Sequence, residues 1–229
     1  MSRVDPNMTT IINLLNKEKI FYWVGQGSLL GIHRNNKLIE WDHDIDICVW
    51  EDKNNKKGMI KLLEKSGFKH RAGLEGKENN EFMAFDKKGG RRVDINLYKK
   101  GKTREGQEIA FCKWVMPKNI FMKLIDAISN ADNYNSKLKI IVNNLVLLKP
   151  IANLLKKLLI EKNFFYKFAG YQLPLNLLIH FKTINFYNLE ITIPLYTEKY
   201  LEYLYGKDWK TPKKNFAWWK VNNIKLNFD

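Results

Sequence analysis

Three aspartates alternate with other residues in one short segment, and their spacing is typical of a site that binds a divalent cation. The segment reads Trp41-Asp42-His43-Asp44-Ile45-Asp46-Ile47. As a strand, it would place Asp42, Asp44 and Asp46 on one face and the two isoleucines on the other. Neighbouring carboxylates on such a face can share one Mg²⁺ or Mn²⁺ ion. The alternative interpretation is a solvated acidic edge or turn.

Two other elements would place groups of matching chemistry beside this strand. Gly27 and Ser28 stand in a predicted turn that opens a short helix, where a glycine and free N–H groups allow a close approach to phosphate. Asp94 lies on a later predicted strand, residues 92–98, opposite in face to Val93 and Ile95. It is either part of the acidic site or a hairpin charge paired with a neighbouring arginine, Arg91 or Arg92.

The elements that must position these residues alternate between helical and extended patterns. Apolar spacing and turn residues predict helices over residues 8–20, 29–32 and 59–66, and strands over residues 21–24, 41–47, 82–85 and 92–98. We therefore expect an α/β (α+β) protein with a mixed sheet flanked by helices. A Gly-Ser turn, a two-aspartate strand and a later aspartate, in this order, form the layout of the nucleotidyltransferase fold.

The chain of 229 residues divides by composition into two regions. We expect residues 1–110 to form the catalytic core. Residues 111–229 are expected to be mostly helical with a closing strand, at residues 189–194, and to pack with the core as one domain. A further helix is predicted over residues 198–205, before a tail that contains Trp209.

The charge of the chain predicts an anionic partner. Thirty-nine lysines and arginines stand against 24 aspartates and glutamates, which gives a net charge of +15. Such an excess favours contact with a nucleotide-linked substrate, nucleic acid or an anionic membrane surface. With two cysteines, no secretory signal and no apolar run long enough to span a bilayer, we expect a cytoplasmic protein.

Residues 136–166 form a basic amphipathic segment that is interrupted at Pro150. Leucine, isoleucine and valine dominate it, six lysines punctuate it, and Glu161 is its only acid. One interpretation is a helical layer that packs on the sheet and turns its lysines to solvent. The other is a helix that lies on an anionic membrane, as a peripheral contact.

Two runs of residues resemble the signature of the LicD/fukutin family. The first is Gly25-Gln26-Gly27-Ser28-Leu29-Leu30-Gly31-Ile32-His33-Arg34, and the second is Ile39-Glu40 followed by the acidic segment. Its Asp-His-Asp centre is similar to that of fukutin-related proteins, whereas Glu40 stands where the family has proline. The later Tyr205-Gly206 and the run Trp209-Lys210-Thr211-Pro212 are similar to closing elements of the family.

The resemblance implies a transferase that moves a phospho-alcohol, such as phosphocholine or ribitol phosphate, from a CDP-linked donor onto a glycan acceptor. It implies that Asp44 and Asp46 hold Mg²⁺ or Mn²⁺, with Asp42 as a further ligand or a neighbour of the ligands. Asp94 would be a ligand or the base that receives the acceptor proton.

The remaining predicted site residues bind substrate. Gly27 and Ser28 would approach phosphate, and Arg34 would clamp donor phosphate unless it forms only a surface ion pair. Tyr205 and Trp209 would line the donor or acceptor pocket, with core packing as the alternative.

Two other functional classes stay open from the sequence. A nucleotidyltransferase of the same fold would transfer a nucleotide from an NTP to RNA, a small molecule or a protein. A non-catalytic binding module is the third hypothesis, and the retained carboxylates count against it. The closing tyrosine and tryptophan elements favour the phosphotransferase, and we therefore do not expect nucleic acid to be the partner.

Overall fold

A computed structural model describes residues 4–51, 56–71, 81–129, 131, 139–162, 164–214 and 216. The helices are α1 (Pro6–Lys17), α2 (Gln26–Asn35), α3 (Lys56–Lys65), α4 (Ile120–Ser129), α5 (Lys139–Asn144), α6 (Lys149–Glu161) and α7 (Thr197–Tyr205). The strands are β1 (Trp23–Val24), β2 (Asp44–Trp50), β3 (Lys69–His70), β4 (Phe82–Asp86), β5 (Arg92–Lys102), β6 (Glu108–Pro117), β7 (Tyr166–Pro174), β8 (Phe181–Phe186) and β9 (Leu189–Pro194). The expected mixed sheet flanked by helices is confirmed.

The main sheet is mixed, and its parallel pair lies at the centre of the core. Its order is β1-β2-β5-β4-β3, and β6 joins the far half of β5 and pairs with β7. Strands β2 and β5 run parallel, while β4 and β5, both predicted as strands, form an antiparallel hairpin. The register of the parallel pair sets Asp44 beside Arg92 and Asp46 beside Asp94.

One face of the β2–β5 pair is apolar, and it anchors the strands in the core. Ile45, Ile47, Val93 and Ile95 are all fully buried. Helix α1, whose apolar residues recur at helical spacing, adds its own buried face to the same cluster. Because side chains alternate along a strand, burial of the isoleucine face directs Asp44, Asp46 and Asp94 to the opposite face.

The start of the acidic strand differs from the sequence prediction. Strand β2 begins at Asp44, so Trp41 and Asp42 lie in the connection before it. The prediction that three aspartates share one strand face is therefore wrong for Asp42. Helix α2 likewise begins at Gln26, which places Gly27 and Ser28 in its first turn and not in a turn before it.

The C-terminal half contains more strand than the sequence predicted. Strands β6 and β7 form a long antiparallel pair, and helices α4, α5 and α6 are inserted between them. Strands β8 and β9 form a separate hairpin, of which only β9 was expected. Long-range pairing explains the difference, because β6 and β7 are far apart in sequence and no local turn signal joins them.

The predicted basic amphipathic segment is helical where the structure describes it. It consists of α5, a 3₁₀ turn (Val146–Leu148) and α6, with Pro150 in the first turn of α6. Proline is tolerated there because a first-turn N–H has no partner within the helix. Across the described residues, no helix has the length and apolarity that crossing a membrane requires.

Candidate active site

A cavity of about 440 Å³ opens over the polar face of β2 and β5. A volume of this size accommodates a small organic ligand. The cavity collects carboxylates, aromatic rings and cations from distant parts of the chain. Its acidic lining consists of Asp42, Asp44, Asp46, Asp94 and Asp208.

The core of the site is the in-register parallel pairing of two polar strand segments. Asp44 and Asp46 come from β2, and Arg92 and Asp94 stand beside them on β5. All four line the cavity, as does Asn96 one step further along β5. The structure therefore brings Asp94 to the aspartates of β2, as the site hypothesis requires.

The N-terminus of α2 holds Asp46 in place. Ser28 donates its backbone N–H to Asp46 Oδ2 at 3.2 Å, and its Oγ accepts the backbone N–H of Asp46 at 2.8 Å. Ser28 is buried, and both of these groups are committed to Asp46. The structure thus assigns Ser28 to positioning a carboxylate, whereas the sequence suggested direct contact with phosphate.

Gly27 makes room for a carboxylate. A Cβ atom at this position would lie 2.6 Å from Asp42 Oδ2 and 3.4 Å from Asp46 Oδ2. Contacts this short require the carboxylate of Asp42 to move, so the missing side chain is what admits it. Asp42 consequently reaches the cavity from the loop, although it is not on the strand.

Gln26 begins α2 in a strained conformation that its side chain helps to hold. Its φ angle is +41°, a region that residues other than glycine rarely adopt. Its Nε2 donates to the hydroxyl of Tyr98 at 2.8 Å, and its Oε1 accepts from Cys48 Sγ at 3.1 Å. Strain of this kind persists where surrounding contacts over-determine it, as they do in this buried turn.

Arg92 lies between two of the carboxylates. Its guanidinium donates to Asp44 Oδ2 at 2.5 Å and to Asp94 Oδ2 at 2.7 Å. The arginine pairing that the sequence left as an alternative for Asp94 is thus present, and Asp94 also lines the cavity. Asp94 Oδ1 is buried, and no hydrogen-bond partner for it occurs in the described part of the chain.

Burial and mutual repulsion raise the pKa values of three carboxylates in the site. Burial raises the pKa of Asp42 to about 7, with a further contribution from Asp44. Burial also raises the pKa of Asp94 to about 7, although Arg92 lowers it in part. Burial first, and then Asp44 and Asp94, raise the pKa of Asp46 well above its usual range. An added cation would relieve this repulsion.

The carboxylates of the site are ligands of the type that a hard divalent cation prefers, but the described side chains do not form a complete metal centre. Buried carboxylate oxygens are the ligands that Mg²⁺ and Mn²⁺ prefer, and Asp94 Oδ1 is buried without a partner among the described residues. Within the described ranges, no three His, Cys, Asp or Glu side chains are gathered as a preformed metal centre. Arg92 already supplies one positive charge between Asp44 and Asp94.

Aromatic rings form the walls of the cavity. Trp114 of β6 and Tyr171 of β7 pack with ring centroids 5.4 Å apart, and Phe82 lies 5.6 Å from Trp114. The predicted Tyr205 and Trp209 also line the cavity, and Trp209 is buried. Burial raises the pKa of Tyr205 well above its usual range, and the charges of the nearby aspartates raise it further. The hydroxyl of Tyr205 therefore stays protonated.

Cations line the cavity beside these rings. Arg34, predicted to clamp phosphate, lines the cavity and donates from Nε to Asn35 Oδ1 at 2.7 Å. Lys213 and Lys214 also line it, and Lys213 pairs with Asp208. These cations suit a ligand that carries phosphate groups.

The comparisons with known proteins agree with this layout. Residues 19–124 match a family model described as LicD/FKTN/FKRP, nucleotidyltransferase domain. Residues 19–124 form a LicD/fukutin-family domain. The family resemblance seen in the sequence is therefore confirmed for this span. The LicD-type domain contains Arg34 and the cavity residues Asp42, Asp44, Asp46 and Asp94, and it ends before Tyr205.

One solved structure that matches this chain is that of the lincosamide antibiotic adenylyltransferase LnuA in its lincomycin-bound form. The two chains are 13% identical, with a TM-score of 0.41, and the alignment covers 84% of this chain and 82% of the other. No protein of curated function matches the chain.

Several cavity residues were absent from the sequence-based site. The alternation Arg92-Val93-Asp94-Ile95-Asn96 could have revealed Arg92 and Asn96, because it marks a polar face on a strand with a buried opposite face. Trp114 and Tyr171 had no local signal. They meet only because β6 and β7 pair, although helices α4, α5 and α6 separate these two strands in the sequence.

Proposed function

We propose that the chain is a metal-dependent phosphotransferase that moves a phospho-alcohol from a CDP-linked donor onto a glycan. The observation that carries this proposal is the cavity itself. In one space it joins five aspartates, an aromatic wall and several cations, and residues 19–124 supply four of the aspartates, the two arginines and part of the wall. A CDP-linked donor has a base on which aromatic rings can stack and a pyrophosphate whose charge a metal and cations can neutralise.

The aspartates would hold the metal. Asp44, Asp46 and Asp94 are the proposed ligands, with Asp42 approaching from the loop. When bound there, Mg²⁺ or Mn²⁺ would neutralise charge on the pyrophosphate and on the departing CMP. Ser28 would keep Asp46 aimed through its two hydrogen bonds, and Gly27 would leave Asp42 room to approach.

The remaining groups would bind and orient the donor. Arg34 presents a guanidinium that can contact two phosphate oxygens at once. The aromatic side chains, among them Trp114 and Tyr171, would stack on the base, because every nucleobase has a flat apolar face. Aromatic walls also limit the access of water, which would otherwise compete with the glycan hydroxyl.

Asp94 has two proposed roles that an experiment can separate. It would bind the metal, or it would accept the proton of the attacking glycan hydroxyl. A pKa of about 7 and a buried Oδ1 without a described partner suit a general base. Replacement by Asn would remove the acidic limb of the pH–rate profile if Asp94 is the base. Loss of metal affinity in the same variant would mark it as a ligand.

The proposal is tested by supplying the purified chain with Mg²⁺ and CDP-choline, CDP-ribitol or CDP-glycerol, with ordinary NTPs in parallel reactions. We expect release of CMP from one CDP-alcohol and its loss on chelation of the metal. Asp46→Asn should lower this turnover by about 1000-fold or more, while circular dichroism shows an intact fold. Asp86→Asn is the matched control, since Asp86 is a half-exposed carboxylate paired with Arg71 outside the cavity.

Two results would contradict the proposal. Pyrophosphate from an NTP, with no CMP from any CDP-alcohol, would identify a nucleotidyltransferase of the same fold. Wild-type turnover by Asp46→Asn would remove the site from the mechanism altogether.

A further inference from the structure

Helix α6 carries an apolar stripe on its outer face. We define the outer stripe as Ile151, Leu154, Leu155 and Leu158, whose spacing of three and four residues places them on one side of the helix. Their side chains are 57%, 59%, 40% and 45% exposed. Leu147, in the 3₁₀ turn just before the helix, is 88% exposed. Few folded chains leave so many large aliphatic side chains in water within one short segment.

The inner face of the same helix already has its packing partner. Ala152 is buried in a small cluster with Met122 and Ile125 of α4, and Leu159 packs against that cluster from α6. The outer stripe therefore does not stabilise the contact between α6 and the rest of the described chain. An amphipathic helix needs one apolar face for folding, and α6 has a second one.

The part of the chain that carries this second apolar face is rich in lysine. Residues 118–164 contain eight lysines and three acidic residues. One of those acids, Asp126, is paired with Lys156 at 2.7 Å. Lys157 lies within α6, Lys162 caps its C-terminus, and both are exposed. Lys123 of α4 is exposed as well.

We propose that the outer stripe docks this protein on an anionic membrane surface. Leucine and isoleucine side chains would enter the boundary between head groups and acyl chains, while long lysine side chains reach back to the lipid phosphates. The positive excess selects an anionic surface, because polybasic segments are attracted to acidic lipids. Helix α6 has 13 residues and would lie flat on the membrane, not across it.

The position of the helices in the chain relates them to the cavity. They are inserted between β6 and β7, and Trp114 in β6 lines the cavity only three residues before the strand ends at Pro117. Three residues of strand span roughly 10 Å. The helices that include α6 are thus inserted in the chain just after a strand that contributes to the cavity wall. The docking itself does not depend on the proposed transferase activity.

The experiment is vesicle flotation with the full chain. Phosphatidylcholine vesicles are compared with vesicles that also contain phosphatidylglycerol, at about 50 mM and about 500 mM salt. We expect binding to the anionic vesicles that weakens at high salt, and little binding to phosphatidylcholine alone. Leu154→Gln with Leu158→Gln should weaken binding by about tenfold or more. Lys157→Gln with Lys162→Gln should weaken it by about tenfold.

Matched variants separate this surface from general stickiness and general charge. Ile179→Gln with Leu195→Gln removes two exposed apolar side chains elsewhere, and Lys17→Gln with Lys102→Gln removes two exposed lysines elsewhere. Both should bind vesicles as the wild type does.

Three outcomes would overturn the inference. They are the absence of wild-type binding to anionic vesicles at low salt, unchanged binding by the leucine variant, and equal loss in the variant and its matched control. Sedimentation velocity adds a fourth. A wild-type dimer that the leucine variant converts to a monomer would make the stripe an interface between two copies of the chain.

Discussion

The carboxylate site and helix α6 distribute polar and apolar groups in opposite ways. On β5, the acidic residue Asp94 is 4% exposed, whereas on α6 the aliphatic residue Leu154 is 59% exposed. A buried carboxylate costs folding free energy because it loses hydration, whereas an exposed aliphatic side chain contributes little to folding because it stays in water. The difference teaches that the two regions are suited to different partners, a cation at the first and an apolar, anionic surface at the second.

The two regions also differ in what holds them. The aspartates stand on central strands whose opposite face is fully buried, so the fold can impose their close approach. Helix α6 rests on a small cluster of its own, separate from the main core. The electrostatic strain of the site is therefore held by the central strands, whose opposite face is fully buried. The exposed apolar side chains lie on α6, where docking would disturb fewer contacts.

The largest effect is expected from a substitution that removes a positive charge from the site. Arg92→Gln removes the guanidinium shared by Asp44 and Asp94 and leaves two neighbouring carboxylates without it. We expect the free energy of unfolding at pH 8 to fall by about 2–3 kcal/mol, a value reduced because the Arg92 side chain is 31% exposed. Added Mg²⁺ should recover part of this loss. Urea denaturation with and without metal measures both changes.

Arg71→Gln is the control for that measurement. Arg71 and Asp86 form a half-exposed ion pair, so its removal should cost less than about 1 kcal/mol. Equal stability of Arg92→Gln and wild type would show that the aspartates are not under electrostatic stress.

The next effect is a dependence of stability on pH in the metal-free protein. Asp42 and Asp94 have native pKa values of about 7, above those of unfolded aspartate, so the native state binds more protons between roughly pH 4 and pH 7. This contribution to stability is present at low pH and is lost as pH rises through 7. We expect the free energy of unfolding to be about 1–2 kcal/mol higher at pH 6 than at pH 8.

Urea titrations in the presence of a chelator measure this difference. Asp42→Asn with Asp94→Asn should reduce it, with Asp46 accounting for the remainder, and comparison of the two proteins cancels the titration of the histidines. A wild-type stability that does not change between these pH values, or an unchanged slope in the variant, would contradict the raised pKa values.

The smallest effect sharpens the contrast on α6. Leu154→Gln with Leu158→Gln should change the free energy of unfolding by no more than about 0.5 kcal/mol, because both side chains already face solvent. Leu159→Gln, on the inner face, should cost about 1–3 kcal/mol by placing an amide against the α4 cluster. Thermal denaturation without vesicles provides the measurement. Equal costs for the two faces would mean that the stripe serves folding.

Local sequence patterns predicted those parts of the site that depend on local structure alone. The alternation of Asp44, Ile45, Asp46 and Ile47 predicted the strand and its two faces correctly. Asp42 was misplaced because alternation continues into a loop without any change in residue type. The pattern could not show where pairing with β5 begins, at Asp44 beside Arg92.

Roles that depend on partners could not be predicted in the same way. Ser28 was interpreted as a phosphate contact, but its hydroxyl and N–H are both engaged by Asp46, which only the approach of α2 to β2 reveals. The two interpretations of the basic segment were also inseparable in sequence. A lysine-rich amphipathic pattern has the same period whichever face is buried, and only the packing of Ala152 and Leu159 against α4 identified the outer stripe.

The sequence by itself determined the chemical inventory of this protein: alternating carboxylates, a glycine and serine ahead of them, a strong positive charge, and the motifs of the LicD-type domain. The tertiary structure decided which of these groups meet. Parallel pairing of β2 and β5 set Arg92 and Asp94 beside the aspartates, and the β6–β7 pair closed an aromatic wall over them. The physical reason is that register, burial and the resulting pKa values arise from contacts between distant segments, which no local pattern encodes.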